Sequence, residues 1–568
     1  MNAGVTRRNF LQTAAGAAVV IPLSASGSQA LPASNQTRTK GVDLLRRPDS
    51  IRARIGSREL VNLQYSAGVW TSVGIRVSAE PTQAGPHGEL PISVTNDGKD
   101  LTHLHFRWNG RQTEGALSIG DHWERSYGDL EWRGTIAERV MPWYFLTSDG
   151  THVNGYGVKT SPSAFCFWQR DAEGITLSMD LRNGGEATEL GRRELKACTV
   201  VTRMGPKGEP IWQAGQEFCK LMCTAPRLPA GPIFGVNDWN YAYGKNTAKG
   251  ILRDSDLIAS LAPAGSIRPQ VVIDDGWQDP ARFPSMPDLA SQIRGRNLNP
   301  GLWIRPLRPG REVDASWLLP DNRFGKGSPH NNLAFDPTIP EALDESMKSV
   351  RQAVGWGYTF IKHDFSTYEL FGRWGSDMRG QVTRPGWHFH DKSRTNAEIV
   401  RDFYQAIRAA AGDNTTILGC NTVGHIAAGI FESQRIGDDT SGHDWERTRR
   451  YGVNTLSHRL SQHRTFSHID PDIVAMTLAV DWKKTSQWMD VVARSGTSLF
   501  LSPDPAAITP EVKSAMRDAM AISAQAGTGF PVHPTSWTTP GVLQFTHPGH
   551  VEKKYNWCGP EGVSPFAV

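Results

Sequence analysis

The sequence predicts an α/β protein: a (β/α)8 TIM barrel preceded by an N-terminal antiparallel β-sandwich and followed by a short C-terminal β-element. Two observations carry that expectation. From about Asp49 to Val201, short alternating segments such as 61–65, 104–108 and 175–179 are separated by Gly, Asn and Asp turns, the texture of a sandwich. Beyond Pro229-Ala230-Gly231-Pro232, short apolar runs alternate with longer helical stretches. The runs are Ile233–Trp239, Val271–Asp274, Gly301–Ile304, Thr359–His363, Thr416–Gly419, Ser433–Gly437, Thr465–Ile469 and Ser498–Leu501. Eight strands with helical connections read as a barrel. An open doubly wound sheet is the alternative, but its glycine-rich phosphate turn is absent after the first run.

Residues 1–30 read as a twin-arginine-type export signal: Arg7 and Arg8, then Asn9-Phe10-Leu11-Gln12, an apolar stretch from Thr13 to Leu23, and Ser28-Gln29-Ala30. A periplasmic or extracellular location is expected. The apolar stretch is too short to span a bilayer and no later segment is long enough, so no stable membrane insertion is expected after cleavage. Residues 31–48 are polar and aperiodic, a flexible leader. The sandwich occupies 49–228 and ends in a helix over Ile211–Met222; the barrel occupies 229–530. The C-terminal β-element, 531–568, holds the run Val542-Leu543-Gln544-Phe545.

Of the 568 residues, 39% are hydrophobic, enough for sizeable cores. The 61 Lys and Arg against 57 Asp and Glu leave a formal charge of +4 with no long basic run, so nucleic acid is not an implied partner. Nineteen Trp supply flat apolar faces suited to sugar rings, although most are expected in cores. Six cysteines, Cys166, Cys198, Cys219, Cys223, Cys420 and Cys558, are too sparse for a disulfide scaffold and read as buried thiols or one or two bridges. No metal site and no cofactor are implied. The oligomeric state is left open.

Catalytic groups in such a barrel lie at the C-terminal ends of the strands. Here Asn237-Asp238-Trp239, Asp274-Asp275-Gly276-Trp277, Lys362-His363-Asp364 and Arg435-Ile436-Gly437-Asp438-Asp439 all close strand candidates. Converging carboxylates with Trp, Lys and Arg among them suit a polyhydroxylated, uncharged ligand. They also suit glycoside cleavage, in which one carboxylate faces the anomeric carbon and a second carboxyl group protonates the leaving oxygen. The plainer reading is that each Asp caps the next helix, which does not explain the Trp, Lys and Arg beside them.

These motifs resemble a known family. Val272-Ile273-Asp274-Asp275-Gly276-Trp277-Gln278, Gly301-Leu302-Trp303-Ile304, Ile361-Lys362-His363-Asp364-Phe365 and Arg435-Ile436-Gly437-Asp438-Asp439-Thr440 are similar to the strand motifs of the α-galactosidases, glycoside hydrolase families 36 and 27 of clan D. The likeness runs in order over roughly 230–530, and the preceding sandwich fits family 36. It implies Asp364 as nucleophile and Asp439 as general acid/base. It also implies sugar contacts from Asp274, Asp275, Trp277, Lys362 and Arg435, with Trp239, Trp303, Cys420 and Asn421 at the neighbouring strand ends. Asp470-Pro471-Asp472 echoes a further family segment. The chain departs from the pattern at Arg305, where family 36 reads Glu before Pro, so a more positive pocket is expected. It departs again at Gly419-Cys420-Asn421-Thr422-Val423-Gly424-His425, which lacks the usual glycine run, and in its short C-terminal region.

Strand alternation turns His363 away from the cleft. Trp387-His388-Phe389-His390 reads as a loop near the cleft, and Glu369, Asp444 and Glu446 as loop or helix-start carboxylates. The expected function is an exported, retaining exo-α-glycosidase, an α-galactosidase acting on oligosaccharides or glycans. The competing functions are a transglycosylase of the raffinose-synthase type, a non-catalytic carbohydrate-binding barrel and a metal-dependent hydrolase.

Overall fold

The computed structural model describes residues 41–568 apart from 57–58, 83–87, 112, 266, 326–332, 526–531, 535–541, 547–551 and 558–568. The expected export signal, most of the leader and Cys558 lie outside the described residues. The described residues pack as one compact unit.

The described residues from Ser50 to Met204 form two large antiparallel sheets and a short hairpin, Arg182–Asn183 with Glu186–Ala187. In the first, Glu59–Asn62, Ser50–Ile55, Leu101–Asn109, Gly174–Asp180, Phe165–Asp171 and Met141–Pro142 lie side by side. The second runs Gln64–Ser66, Val69–Ser72, Ile75–Ala79, Leu90–Asn96, Leu195–Met204, Val153–Val158, Tyr144–Ser148 and Leu117–Gly120. Alternation sets the faces: Leu90, Ile92 and Val94 are buried and Pro91 between them is exposed. Trp108, Trp168 and Phe145 meet in the core, each burial contributing on the order of 2–3 kcal/mol. Val42 and Leu44 are already buried in this core, so packing begins before Asp49. The helix Ile211–Met222 lays Ala214, Gly215, Phe218, Cys219 and Met222 inward. Gly155 makes room for it, since a Cβ there would meet the Phe218 ring at 2.4 Å.

The barrel strands are Phe234–Asn237, Gln270–Ile273, Asn299–Ile304, Phe360–His363, Thr416–Gly419, Ser433–Arg435, a split seventh, and Leu499–Pro503, all parallel. The seventh position is made by two pieces: His468–Asp470 pairs with the sixth strand and Ile473–Met476 with the eighth. Pro471 offers no N–H to a ladder and Asp472 sits at φ 76°, so the strand breaks between its neighbours. Nothing in the periodicity marks Ile473–Met476, because the break hides it.

Ile233, Val272, Phe360, Leu418, Ile473 and Phe500 fill the barrel interior, as side-chain layers do in this fold. That layer sets the direction of the next inward residues by alternation. With Val272 inside, Asp274 faces the same way, and with Phe360 inside so do Lys362 and Asp364.

The sandwich is stitched to the barrel at the mouth of the sixth strand. Ser126 N donates to Ile436 O and Asp438 N to Ser126 O, both at 2.8 Å, a parallel bridge opposite Gly437. Glycine is required at 437, since a Cβ would meet the Tyr451 carbonyl oxygen at 1.9 Å. At the far end, Val532–Pro534, Val542–Thr546 and Glu552–Asn556 make a three-stranded antiparallel sheet. Cys166, Cys198, Cys219, Cys223 and Cys420 are buried free thiols. Among the described residues no helix is long and apolar enough to cross a membrane.

Candidate active site

A cavity of about 390 Å³ opens at the C-terminal ends of the strands. Seven of the residues singled out in the sequence line it: Trp239, Asp274, Asp275, Trp303, Lys362, Asp364 and Asp439. They come from the ends of the first, second, third, fourth and sixth strands.

Asp364 comes directly after the fourth strand, where its N–H donates to Ile304 O at 3.1 Å and holds it in line with the strand. Its carboxylate is fixed by three donors: Trp303 Nε1 to Oδ2 at 3.1 Å, and the backbone N–H groups of Phe365 (2.8 Å) and Asn421 (3.1 Å) to Oδ1. Burial works to raise its pKa, but the Arg125 and Lys362 charges and the Trp303 hydrogen bond hold it below the ordinary carboxylate range. Asp364 is an ionised, oriented carboxylate.

Asp439 lies four residues beyond Arg435, which donates from Nη2 to its Oδ1 at 2.9 Å. Arg125 reaches the same oxygen at 3.3 Å. The side chain is still 37% exposed, toward the cavity. Burial again opposes ionisation, and Arg125, Arg435 and Lys362 outweigh it, bringing the carboxyl down to about 2.

At the second strand, Asp274 Oδ2 accepts from Asn237 Nδ2 (2.8 Å) and Lys362 Nζ (2.7 Å), and its Oδ1 accepts from Asp275 N (2.9 Å). The glycine of this motif is needed for its turn: Gly276 has φ 108°, and a Cβ would meet Asn246 Oδ1 at 2.6 Å. Asp238 accepts from Asp274 N at 2.8 Å, and burial together with the Asp274 charge pushes it up to about 7.

The other expected sugar contacts stand behind the walls. Trp277 does not line the cavity; it packs edge-on against Trp356 and donates from Nε1 to Trp303 O at 2.8 Å, propping the third-strand wall. Arg435 is 1% exposed and divides itself between Asp439 and Asp472 (2.6 Å). Cys420 is buried beside Arg125, and Asn421 is buried with its backbone on Asp364 and its side chain on Glu124 and Tyr127.

Arg305 does not make the pocket more positive. Its guanidinium donates to the buried Glu369 at 2.9 and 2.7 Å and lies 3.9 Å over the Phe365 ring, so it is held inside the wall and does not line the cavity. Glu369 is accounted for by the same pair. His363 points outward among Phe403, Tyr404 and Phe431, and burial brings it down to about 3, so it is neutral. The 387–390 loop packs against Gly184 and Gly185 of a sandwich hairpin and does not line the cavity. Asp444 caps the helix Trp445–Thr448, and Glu446 pairs with Arg449.

Asp438 of the sixth-strand motif also lines the cavity, and five lining residues were not anticipated: Arg125, Tyr127, Phe365, Trp374 and Ser376. Arg125 and Tyr127 enter from the sandwich, far away in sequence. Trp374 stacks on Tyr368 with centroids 4.4 Å apart and meets Phe365 edge-on. The side-by-side aromatics of the fourth-strand loop were its only local signal. Among the described residues no group of three or more His, Cys, Asp or Glu is arranged to hold a metal.

No protein-family model matches the chain. Solved structures do match it. An α-galactosidase from Thermus thermophilus in complex with p-nitrophenyl α-D-galactopyranoside is 19% identical over 85% of this chain and 97% of its own, with a TM-score of 0.59. The family 36 α-galactosidase AgaA from Geobacillus stearothermophilus is 15% identical over 90% of this chain and 78% of its own, TM-score 0.57. An α-galactosidase from Lactobacillus brevis is 12% identical over 91% and 77%, TM-score 0.53. The sandwich and barrel of this chain thus have the fold of the glycoside hydrolase family 36 α-galactosidases.

Proposed function

We propose that this chain is an exported, retaining exo-α-glycosidase that removes terminal α-linked galactose, or a related galacto-configured sugar, from oligosaccharides or glycans. The observation that carries the reading is the meeting, in one cavity on this fold, of an ionised carboxylate held by three donors at Asp364 and a cavity-facing carboxylate at Asp439. In the first displacement an Asp364 oxygen bonds to the anomeric carbon as the glycosidic C–O bond breaks, and Asp439 gives its proton to the leaving oxygen. In the second, Asp439 takes a proton from a water that bonds to the same carbon and releases Asp364. Asp274, Asp275 and Lys362 offer charge-assisted hydrogen bonds to glycone hydroxyls, and Trp239 and Trp303 offer apolar faces.

Sugars bound in complexes of proteins of this fold are the first to try: stachyose with the Thermus enzyme and raffinose with a Geobacillus variant. Release of nitrophenol from the aryl α-galactoside, unaffected by chelator and with the α-anomer of the sugar formed first, is the expected result. A β-anomer formed first excludes double displacement, and chelator-sensitive activity favours a metal-dependent hydrolase. A transglycosylase would transfer the sugar to an added oligosaccharide in preference to water. A binding barrel would retain the sugar without turnover.

Export belongs to the same reading and rests on Arg7, Arg8 and the apolar stretch from Thr13 to Leu23. Paired Arg7→Lys and Arg8→Lys substitutions should leave the protein in the cytoplasmic fraction. Unchanged export would remove the twin-arginine assignment.

A further inference from the structure

Arg125 belongs to the sandwich, yet its guanidinium lies between the two adjacent carboxylates that close the sixth barrel strand. Nη1 is 3.3 Å from Asp439 Oδ1 and Nη2 is 3.1 Å from Asp438 Oδ1. Nε donates to the Tyr127 hydroxyl at 3.1 Å, and Nη1 also lies 3.3 Å from Cys420 Sγ. The Ser126 bridge to Ile436 and Asp438 pins the backbone beside it. One arm of the fork therefore serves a carboxylate that faces the cavity, and the other a more enclosed carboxylate that Arg447 also holds, at 2.9 Å.

A general acid must carry a proton before it can give one. With Arg125 and Arg435 both on Asp439, the free protein presents that carboxyl ionised, which suits the second displacement and not the first. The remaining charges facing Asp439 are Lys362 and Arg447, with Asp364 and Asp472 nearby as like charges. Arg125 differs from Arg435 in how it is placed. Its second carboxylate partner is already in contact, so a small rotation frees Asp439 without leaving the guanidinium unpaired.

Resting on the glycosidase reading, we propose that Arg125 is a positioning residue that governs proton uptake by Asp439, withdrawing onto Asp438 when a leaving group enters the cavity. The proton comes from solvent, passes from Asp439 to the glycosidic oxygen as the C–O bond breaks, and is recovered from the attacking water in the second step. No net proton is consumed.

The test is the pH dependence of kcat/KM for wild type, R125Q and D438N on an α-galactoside with a poor leaving group, with α-galactosyl fluoride in parallel. R125Q should move both limbs to higher pH by on the order of one unit, because it removes a cation whose charge favours the ionised form of both Asp439 and Asp364. D438N removes the alternative partner and should move the basic limb to lower pH by a similar amount. The fluoride, which departs without a proton, should lose much less rate in D438N than the poor leaving group does. A residue that merely braces the fold would lower the rates and leave the limbs in place, and that result in D438N overturns the proposal even if R125Q does not fold. Wild-type protein inactive on every α-glycoside would instead sink the glycosidase reading, and this inference with it.

Discussion

Lys362 Nζ donates to Asp274 Oδ2 at 2.7 Å, tying the end of the fourth barrel strand to the end of the second. Both residues are buried. Burial works to lower the lysine's pKa, but the Asp274 charge outweighs it and holds the pKa above its usual value, so the ammonium persists throughout the working pH range. Removing one partner strands the other charge. Lys362→Met should destabilise the protein by about 3–5 kcal/mol, and adding Asp274→Leu should recover most of that loss without restoring activity. Urea unfolding of the single and double variants measures the coupling; simple additivity would mean the two charges do not depend on each other.

In the proposed function, the same Asp274, with Asp275, is the pair assigned to the preference for galacto configuration. A sugar with an equatorial 4-hydroxyl forgoes a charge-assisted hydrogen bond to this pair, at a cost of about 1.5–3 kcal/mol, or roughly ten-fold to a hundred-fold in kcat/KM. Wild type should cleave the α-galactoside faster than the α-glucoside by such a factor, and Asp274→Ala should shrink the ratio as well as the rate. A ratio that stays put while the rate falls would reduce the pair to loop scaffolding.

Asp364→Asn should abolish turnover on every substrate while leaving the unfolding transition in place, because the covalent step needs a carboxylate and the amide keeps the shape. Retention of more than a few per cent of wild-type activity on the aryl galactoside would move the nucleophile elsewhere.

Trp303→Phe keeps an aromatic wall and deletes the Nε1 donor 3.1 Å from Asp364. A hydrogen bond to a charged group contributes about 1.5–3 kcal/mol, so kcat/KM should fall by roughly ten-fold to a hundred-fold, and the acid limb of the pH profile should move upward. An unmoved limb would mean the indole only shapes the wall.

Burial pushes Glu369 up to about 7 in spite of Arg305. Its folded pKa therefore lies above the unfolded value of about 4.3, so its contribution to stability is full below that value and is lost as pH rises through about 7. Chemical denaturation should show stability falling between about pH 4 and 7, and Glu369→Gln should flatten part of that fall. Glu124 and Asp238, also pushed up to about 7, keep a share of the rest. A slope unchanged in the variant would show Glu369 ionised with Arg305 across the range.

The sandwich-then-barrel order was legible because it rests on local periods. Thr416–Gly419 appears where the apolar run places it, and Phe360–His363 differs from its expected run by one end residue. The split seventh strand was not legible, since Pro471 and the positive φ of Asp472 interrupt the alternation that would reveal it. Trp277 shows the limit of motif reading: it sits in a strand-end motif, but its ring is turned behind Trp303.

The sequence by itself determined the inward face of the barrel. Side chains two residues apart on a strand point the same way, so Val272 with Asp274, and Phe360 with Lys362 and Asp364, are set by local chain geometry alone. Only the tertiary structure decided that Arg125 and Tyr127 complete the cavity and that Arg305 is consumed by Glu369. The Arg125–Asp439 contact joins residues 314 apart in the chain. A contact of that separation is fixed by how the sandwich docks on the sixth strand, through Ser126 and Gly437, and leaves no periodic trace in either segment.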